Sequence, residues 1–149
     1  MTFVSLSCIF TAFCYTILIM PDQKPIKILL MEDETMLSSM YQTKFKNEGL
    51  VVATAPDGEA GLAKAKAEQF DIVLVDIIMP KLDGFAALKE LRSLEQYKTT
   101  PIILLTNLGQ EEDIKKGQSL GATDYLVKAN FTPSQVAAKI KEILSQSKK

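Results

Sequence analysis

The chain contains no histidine. That absence excludes serine–histidine–aspartate and cysteine–histidine enzymes, a histidine-rich metal site, and any role as a phosphohistidine donor. Cysteine is nearly as scarce. Cys8 and Cys14 are the only two, and their spacing is not that of a CxxC pair. The rest of the chain therefore has neither a disulfide nor a thiolate metal site, which fits a reducing compartment. An excess charge of either sign is also missing, since 17 basic and 18 acidic residues leave a net charge of −1. Nothing in that balance attracts nucleic acid or anionic lipid broadly. Repeats and low-complexity tracts are absent too.

What is present is an ordinary soluble α/β composition, 47% hydrophobic and 23% charged, over 149 residues. That length suits one domain with a sizeable core. Residues 1–20 stand apart because they carry no charge, every charged residue lying from Asp22 onward. As a signal peptide the run lacks a basic start and a small-x-small cleavage pattern. Two readings stay open: a membrane anchor just long enough to span, or a start-site extension ahead of a true initiator at Met20. An anchor would leave Lys24 and Lys27 on the cytoplasmic side. Residues 21–25 read as a linker and residues 26–147 as the folded domain, with no output domain after it.

From Pro25 short apolar runs alternate with amphipathic stretches. Strands are expected at 26–31, 50–54, 72–75, 101–105 and 123–127. Helices are expected from about Thr35 to Glu48, from Asp57-Gly58 toward Phe70, after Asp83-Gly84, from Gln110 to about Leu120, and from Thr132 to the C-terminus. In the first helix Met36, Leu37, Met40, Tyr41 and Phe45 fall at helical spacing and read as core, with Gly49 as a C-terminal cap. The last helix has the clearest start: Thr132 as N-cap, Pro133 at the first position, and Gln135 placed for a capping box. Alternation of this kind predicts a doubly wound parallel sheet with helices on both faces.

In such a sheet, ligands bind outside the carboxyl ends of the strands. Glu32, Asp33 and Glu34 follow the first strand, Asp76 the third, Thr106 the fourth and Lys128 the fifth. Converging carboxylates repel one another and call for a cation. Oxygen-only donors in an open crevice favour Mg²⁺. A carboxylate beside that ion can attack phosphorus to give an acyl phosphate, and Lys128 and Thr106 could then donate to the phosphoryl oxygens. Taken singly each residue is unremarkable, as a turn aspartate, a strand-end hydroxyl or a solvated lysine. Glu34 reads simply as a first-turn acid favouring the helix dipole.

With those residues in view, the chain resembles the receiver domain of bacterial two-component response regulators, of the stand-alone chemotaxis type, across residues 26–147. The likeness rests on Glu32-Asp33, on Asp76-Ile77-Ile78-Met79-Pro80 with Asp83-Gly84, on Thr106, and on Tyr125-Leu126-Val127-Lys128. It implies a flavodoxin-like three-layer sandwich with strand order 2-1-3-4-5. It also implies that Asp76 is the phosphoacceptor and that Glu32, Asp33, Asp76 and the main-chain carbonyl of Ile78 hold Mg²⁺. Lys128 would pair with the phosphoryl group. Thr106 and Tyr125 would act as the switch, remodelling the face of the fourth helix, fifth strand and fifth helix for a downstream protein target. The phosphodonor would be a sensor histidine kinase or histidine phosphotransfer protein in the cytoplasm. No other cofactor, no direct nucleic-acid contact, and no enzymatic activity beyond self-catalysed phosphorylation and dephosphorylation are expected.

Other classes fit less well. An aspartate-nucleophile phosphatase of the haloacid-dehalogenase type needs a second Asp two residues after the nucleophile, where Ile78 stands. A flavodoxin-like electron carrier needs hydroxyls and glycine after the first strand, where Glu32-Asp33-Glu34 would repel a phosphate. A receiver-like docking module that never gains phosphate is the remaining alternative. Three residues depart from the family pattern. Ala129 replaces the proline that commonly follows the strand-five lysine, and a trans Lys128–Ala129 bond is expected because a cis bond there costs about 2.5–4 kcal/mol. Ile78 and Asn107 replace residues more often polar and small, respectively. These two are expected to restrict water and slow loss of the phosphoryl group. Ile78→Asn and Asn107→Ala should each shorten the phosphoryl lifetime in a decay assay; unchanged decay in both contradicts this.

Overall fold

The computed structural model describes residues 24–148. Among these residues the strands are β1 (Lys27–Met31), β2 (Val51–Ala55), β3 (Ile72–Val75), β4 (Ile102–Thr106) and β5 (Asp124–Val127). The helices are α1 (Thr35–Asn47), α2 (Gly58–Ala67), α3 (Gly84–Ser93), α4 (Glu111–Ser119) and α5 (Pro133–Ser147), with short 3₁₀ turns at Glu95–Tyr97 and Lys128–Asn130. All strand pairs are parallel and their order is β2-β1-β3-β4-β5, as the resemblance implied. The reversal of strand order beside β1 opens a crevice at the carboxyl ends of β1 and β3.

Central strands in such a sheet are covered on both faces and need apolar side chains on each. Ile72-Val73-Leu74-Val75 and Ile102-Ile103-Leu104-Leu105 meet that need, and all eight are buried. Their side chains alternate between two cores. One contains Leu29, Val73, Val75 and Leu104 with Leu62, Phe85 and Leu88. The other contains Ile28, Leu30, Leu74 and Ile103 with Phe45, Val136 and Ile140.

The helix boundaries follow local chemistry. Asp57 caps α2 by accepting from the Ala60 N–H at 2.8 Å, and Asp83 caps α3 by accepting from the Ala86 N–H at 2.9 Å. The Thr132–Gln135 capping box at α5 is complete. Gly49 ends α1 at φ +80°, a backbone region that costs glycine little. Arg92 of α3 ties the far side of the sheet together. Its guanidinium donates to the carbonyls of Thr100 (2.7 Å) and Gly121 (2.9 Å) and to Thr123 Oγ1 (3.3 Å), fixing the chain where it enters β4 and β5.

Two local expectations change. Met36 and Met40 are not core: they are 74% and 51% exposed, while Tyr41 and Phe45 carry the buried face of α1. Helical spacing alone did not separate the two faces, because the methionines adjoin the true stripe. Glu34 is the N-cap residue of α1 rather than part of its first turn, and its side chain makes no capping bond. None of the peptide bonds in the described residues is cis, so Lys128–Ala129 is trans. The apolar run at residues 1–20 and most of the linker lie outside the described residues. Among those that are described, no helix is long and apolar enough to cross a membrane.

Candidate phosphoacceptor site

Each carboxylate of the crevice is delivered by a strand end and pinned by the neighbouring strand. Glu32 follows β1, and its N–H donates to the Ala55 carbonyl at the end of β2 (3.0 Å). Asp76 follows β3, and its N–H donates to the Met31 carbonyl at the end of β1 (3.0 Å). Behind Asp76 the chain turns sharply into α3. The Gly84 N–H donates to Ile77 O at 2.8 Å, and a Cβ at Gly84 would lie 2.2 Å from Asp76 O. Only glycine allows that approach, which gives the Asp83-Gly84 pair a physical role: one residue caps α3 while the other seats it against the backbone of Asp76.

Carboxylate oxygens of Glu32, Asp33 and Asp76 lie within 4.8 Å of one another. Glu32 and Asp76 are buried, and Asp33 is exposed at the mouth. These three line a crevice of about 370 Å³ together with Ile78, Thr106, Asn107 and Lys128. Lys128 reaches across from the end of β5. Its ammonium donates to Asp76 Oδ2 at 2.8 Å and also to Glu32 Oε2, joining residues far apart in sequence. The second oxygen of Glu32 accepts from the Glu34 N–H at 3.1 Å. Burial pushes the Glu32 carboxyl above its ordinary value, offset in part by its hydrogen bonds to Lys128 and Glu34. For Lys128 burial acts downward, but hydrogen bonds to Asp76 and Glu32 and their charges together hold the ammonium above its ordinary value.

The two residues expected to switch, Thr106 and Tyr125, both contact Leu108. Thr106 is the last residue of β4 rather than the first after it; it is fully buried, and its hydroxyl accepts from the Leu108 N–H at 3.4 Å. Tyr125 sits within β5, and its hydroxyl donates to the Leu108 carbonyl at 2.7 Å. Burial, with the charges of Asp113 and Asp76, pushes this phenol up to about 12. Both side chains thus grip Leu108, in the segment between β4 and α4. Ile78 borders the crevice with its side chain 60% exposed.

Glu32, Asp33, Asp76, Ile78, Thr106 and Lys128 therefore line one crevice, while Tyr125 does not line it and holds Leu108. Two features of the crevice were not foreseen. Lys128 binds both carboxylates directly, whereas the sequence suggested only a phosphate partner. Glu34 contributes through its main chain, which no side-chain pattern announces.

This crevice on this sheet is the arrangement of a receiver, and residues 28–141 match the response regulator receiver domain family. The chain belongs to that family, whose members are the phosphorylation-switched receivers of two-component response regulators. It is 40% identical over 121 residues to the alkaline phosphatase synthesis transcriptional regulatory protein PhoP of Bacillus subtilis, covering 81% of this chain and 49% of that one. Likewise it is 42% identical over 121 residues to the transcriptional regulatory protein CpxR of Klebsiella pneumoniae, covering 81% of this chain and 50% of that one. The chain thus spans about half the length of these curated relatives. Among solved structures, the chemotaxis response regulator CheY4 of Vibrio cholerae superposes with a TM-score of 0.76 at 34% identity, covering 80% of this chain and 99% of that one. A CheY-like receiver domain protein of Methanospirillum hungatei gives 0.78 at 27%, covering 84% and 98%.

Removing the resident ammonium tests the charge balance. In the metal-free chain Lys128→Met should cost about 3 kcal/mol at neutral pH, the low end for a broken buried pair because the crevice is open. The Glu32 carboxyl, already raised, moves further up, so its unpaired charge is a penalty only at pH above its unfolded value. The deficit should shrink as pH falls toward the ordinary carboxylate value of 4.5 and below. Urea melts of both proteins across that range measure it, and a deficit independent of pH contradicts the assignment.

Proposed function

We propose that Asp76 accepts a phosphoryl group from a sensor histidine kinase or histidine phosphotransfer protein in the cytoplasm, and that the resulting acyl phosphate switches the α4–β5–α5 face. The observation that supports this most is the meeting of Asp76 with Glu32, Asp33 and Lys128 in one open crevice. Its donor set is oxygen only, with one carboxylate at the mouth, and it suits a hard divalent ion that keeps several waters. Glu32, Asp33, Asp76 and the main-chain carbonyl of Ile78 would hold Mg²⁺. When bound, that ion supplies neutralisation of the carboxylates and of the transferring phosphoryl group.

The chain's own residues do the rest. An Asp76 carboxylate oxygen forms the new O–P bond as the P–N bond to the donor imidazole breaks, the electron pair leaving with the imidazole. Lys128, now shared between Asp76 and Glu32, has its ammonium where it can follow the charge onto a phosphoryl oxygen. Thr106 can turn its hydroxyl to donate to another. That turn releases the Leu108 N–H from Thr106, while Tyr125 still holds the Leu108 carbonyl. A change at Asp76 would thereby reach the start of α4, and the surface offered to a downstream protein would change with it.

Incubating the chain with acetyl phosphate or phosphoramidate, with and without Mg²⁺, followed by intact mass, tests the reading. The expected result is a base-labile phosphoryl adduct that requires Mg²⁺ and is lost in Asp76→Asn. No adduct under any condition overturns it and leaves a docking module without phosphate chemistry.

A further inference from the structure

Among the described residues Lys81 is the only non-glycine residue with a positive φ, at +66°. A long side chain in that region is uncommon, and it persists only where its surroundings hold it there. Lys81 sits in the loop of residues 76–83 that joins β3 to α3. The loop closes on itself at this point: the Leu82 N–H donates to Pro80 O at 2.8 Å, making a three-residue turn with Lys81 at its centre. Such a turn at positive φ is rare and strained. Its support comes from a neighbouring element.

That element is the turn from β2 into α2. Asp57, the N-cap of α2, is only 6% exposed and uses its two oxygens for different tasks. Oδ1 accepts from the Ala60 N–H at 2.8 Å, and Oδ2 lies 3.5 Å from the Lys81 ammonium. The next residue presses on the same turn: a Cβ at Gly58 would lie 2.4 Å from Leu82 O and 2.8 Å from Leu82 Cβ. Any side chain there would push the turn away. The start of α2 thus holds the strained turn by charge at Lys81 and by close contact at Leu82.

The same loop carries the Ile78 carbonyl, which belongs to the peptide between Ile78 and Met79. Upstream of that peptide Ile77 is buried, and its carbonyl accepts from the Gly84 N–H at 2.8 Å. Ile78 faces solvent and Met79 is again buried. Downstream the next fixed point is the turn at Lys81. Neither Asp57 nor Lys81 lines the crevice. We propose that Asp57 and Lys81 form a clasp that positions the Ile78 carbonyl for the divalent cation, Lys81 acting through the turn and not on the ion. The inference rests on the reading of the crevice as a Mg²⁺-dependent phosphoacceptor site.

The sign of one substitution separates the clasp from simple electrostatics. Removing an ammonium near a cation site strengthens cation binding by charge alone. The clasp predicts the reverse for Lys81→Met. Mg²⁺ binding by the full chain, read from backbone amide shifts, should weaken about twofold to fivefold, the range of an exposed ion pair. Lys81→Arg should bind as the wild type does. Asp57→Asn keeps the cap of α2, because asparagine caps as well as aspartate, and should also weaken binding. Lys81→Gly relieves the positive φ, so it should weaken binding while leaving the melting temperature unchanged or raised. Binding in Lys81→Met as tight as in the wild type, or tighter, overturns the clasp. So does weakening that follows a fall in melting temperature across all the variants, which would leave the pair a purely stabilising role. If the wild type itself shows no saturable Mg²⁺ shifts, the metal reading falls, and the clasp with it.

Discussion

Everything at the carboxyl edge of the sheet depends on one electrostatic problem. Glu32, Asp33 and Asp76 bring carboxylate oxygens within 4.8 Å of one another, two of the three groups being buried. Repulsion at that range, in a partly dehydrated crevice, is sustained only if a cation sits among the oxygens. In the chain by itself that cation is the Lys128 ammonium, bonded to both buried carboxylates. The position of Asp33 at the mouth leaves one carboxylate without this partner and facing solvent. The site is therefore held together by the charge of a single side chain that reaches in from the end of another strand.

The fold is the means of setting up that problem. Parallel strands put all their carboxyl ends on one edge, so residues 44 positions apart (32 and 76) and 52 apart (76 and 128) meet without any local sequence relation. Main-chain bonds between neighbouring strand ends fix Glu32 and Asp76, and Gly84 lets α3 close against the backbone of Asp76. Arg92 fixes the entries to β4 and β5 at the opposite edge. Rigid strands hold the charges, while Thr106 and Tyr125 both hold Leu108, in the segment leading to α4.

The fold and the membership of the site were legible in the sequence because both rest on simple periodicities. Four-to-six-residue apolar runs bounded by Asp-Gly and Gly punctuation announce a parallel sheet, and a polar residue at each strand end then has a known destination. What could not be read depended on which way a side chain or a main-chain group turns. Met36 and Met40 fit a helical stripe as well as Tyr41 and Phe45 do, yet they lie one position around the helix from the core. Glu34 looks like a helix-dipole acid, yet its contribution is the N–H it gives to Glu32. The double bond from Lys128 to Glu32 and Asp76 depends on side-chain reach across the crevice, which sequence spacing does not carry.

The most direct measurement is a Mg²⁺ titration of the isotope-labelled chain followed by backbone amide shifts, with Asp33→Asn beside the wild type. Asp33 is exposed, so its replacement should leave the fold intact while removing one donor from the mouth. Saturable shifts centred on the ends of β1, β3 and β5, weakened in Asp33→Asn without loss of stability, are the predicted result. Shifts that do not saturate, or that are unchanged in Asp33→Asn, would contradict the assignment of these carboxylates as a cation-balanced phosphoacceptor site.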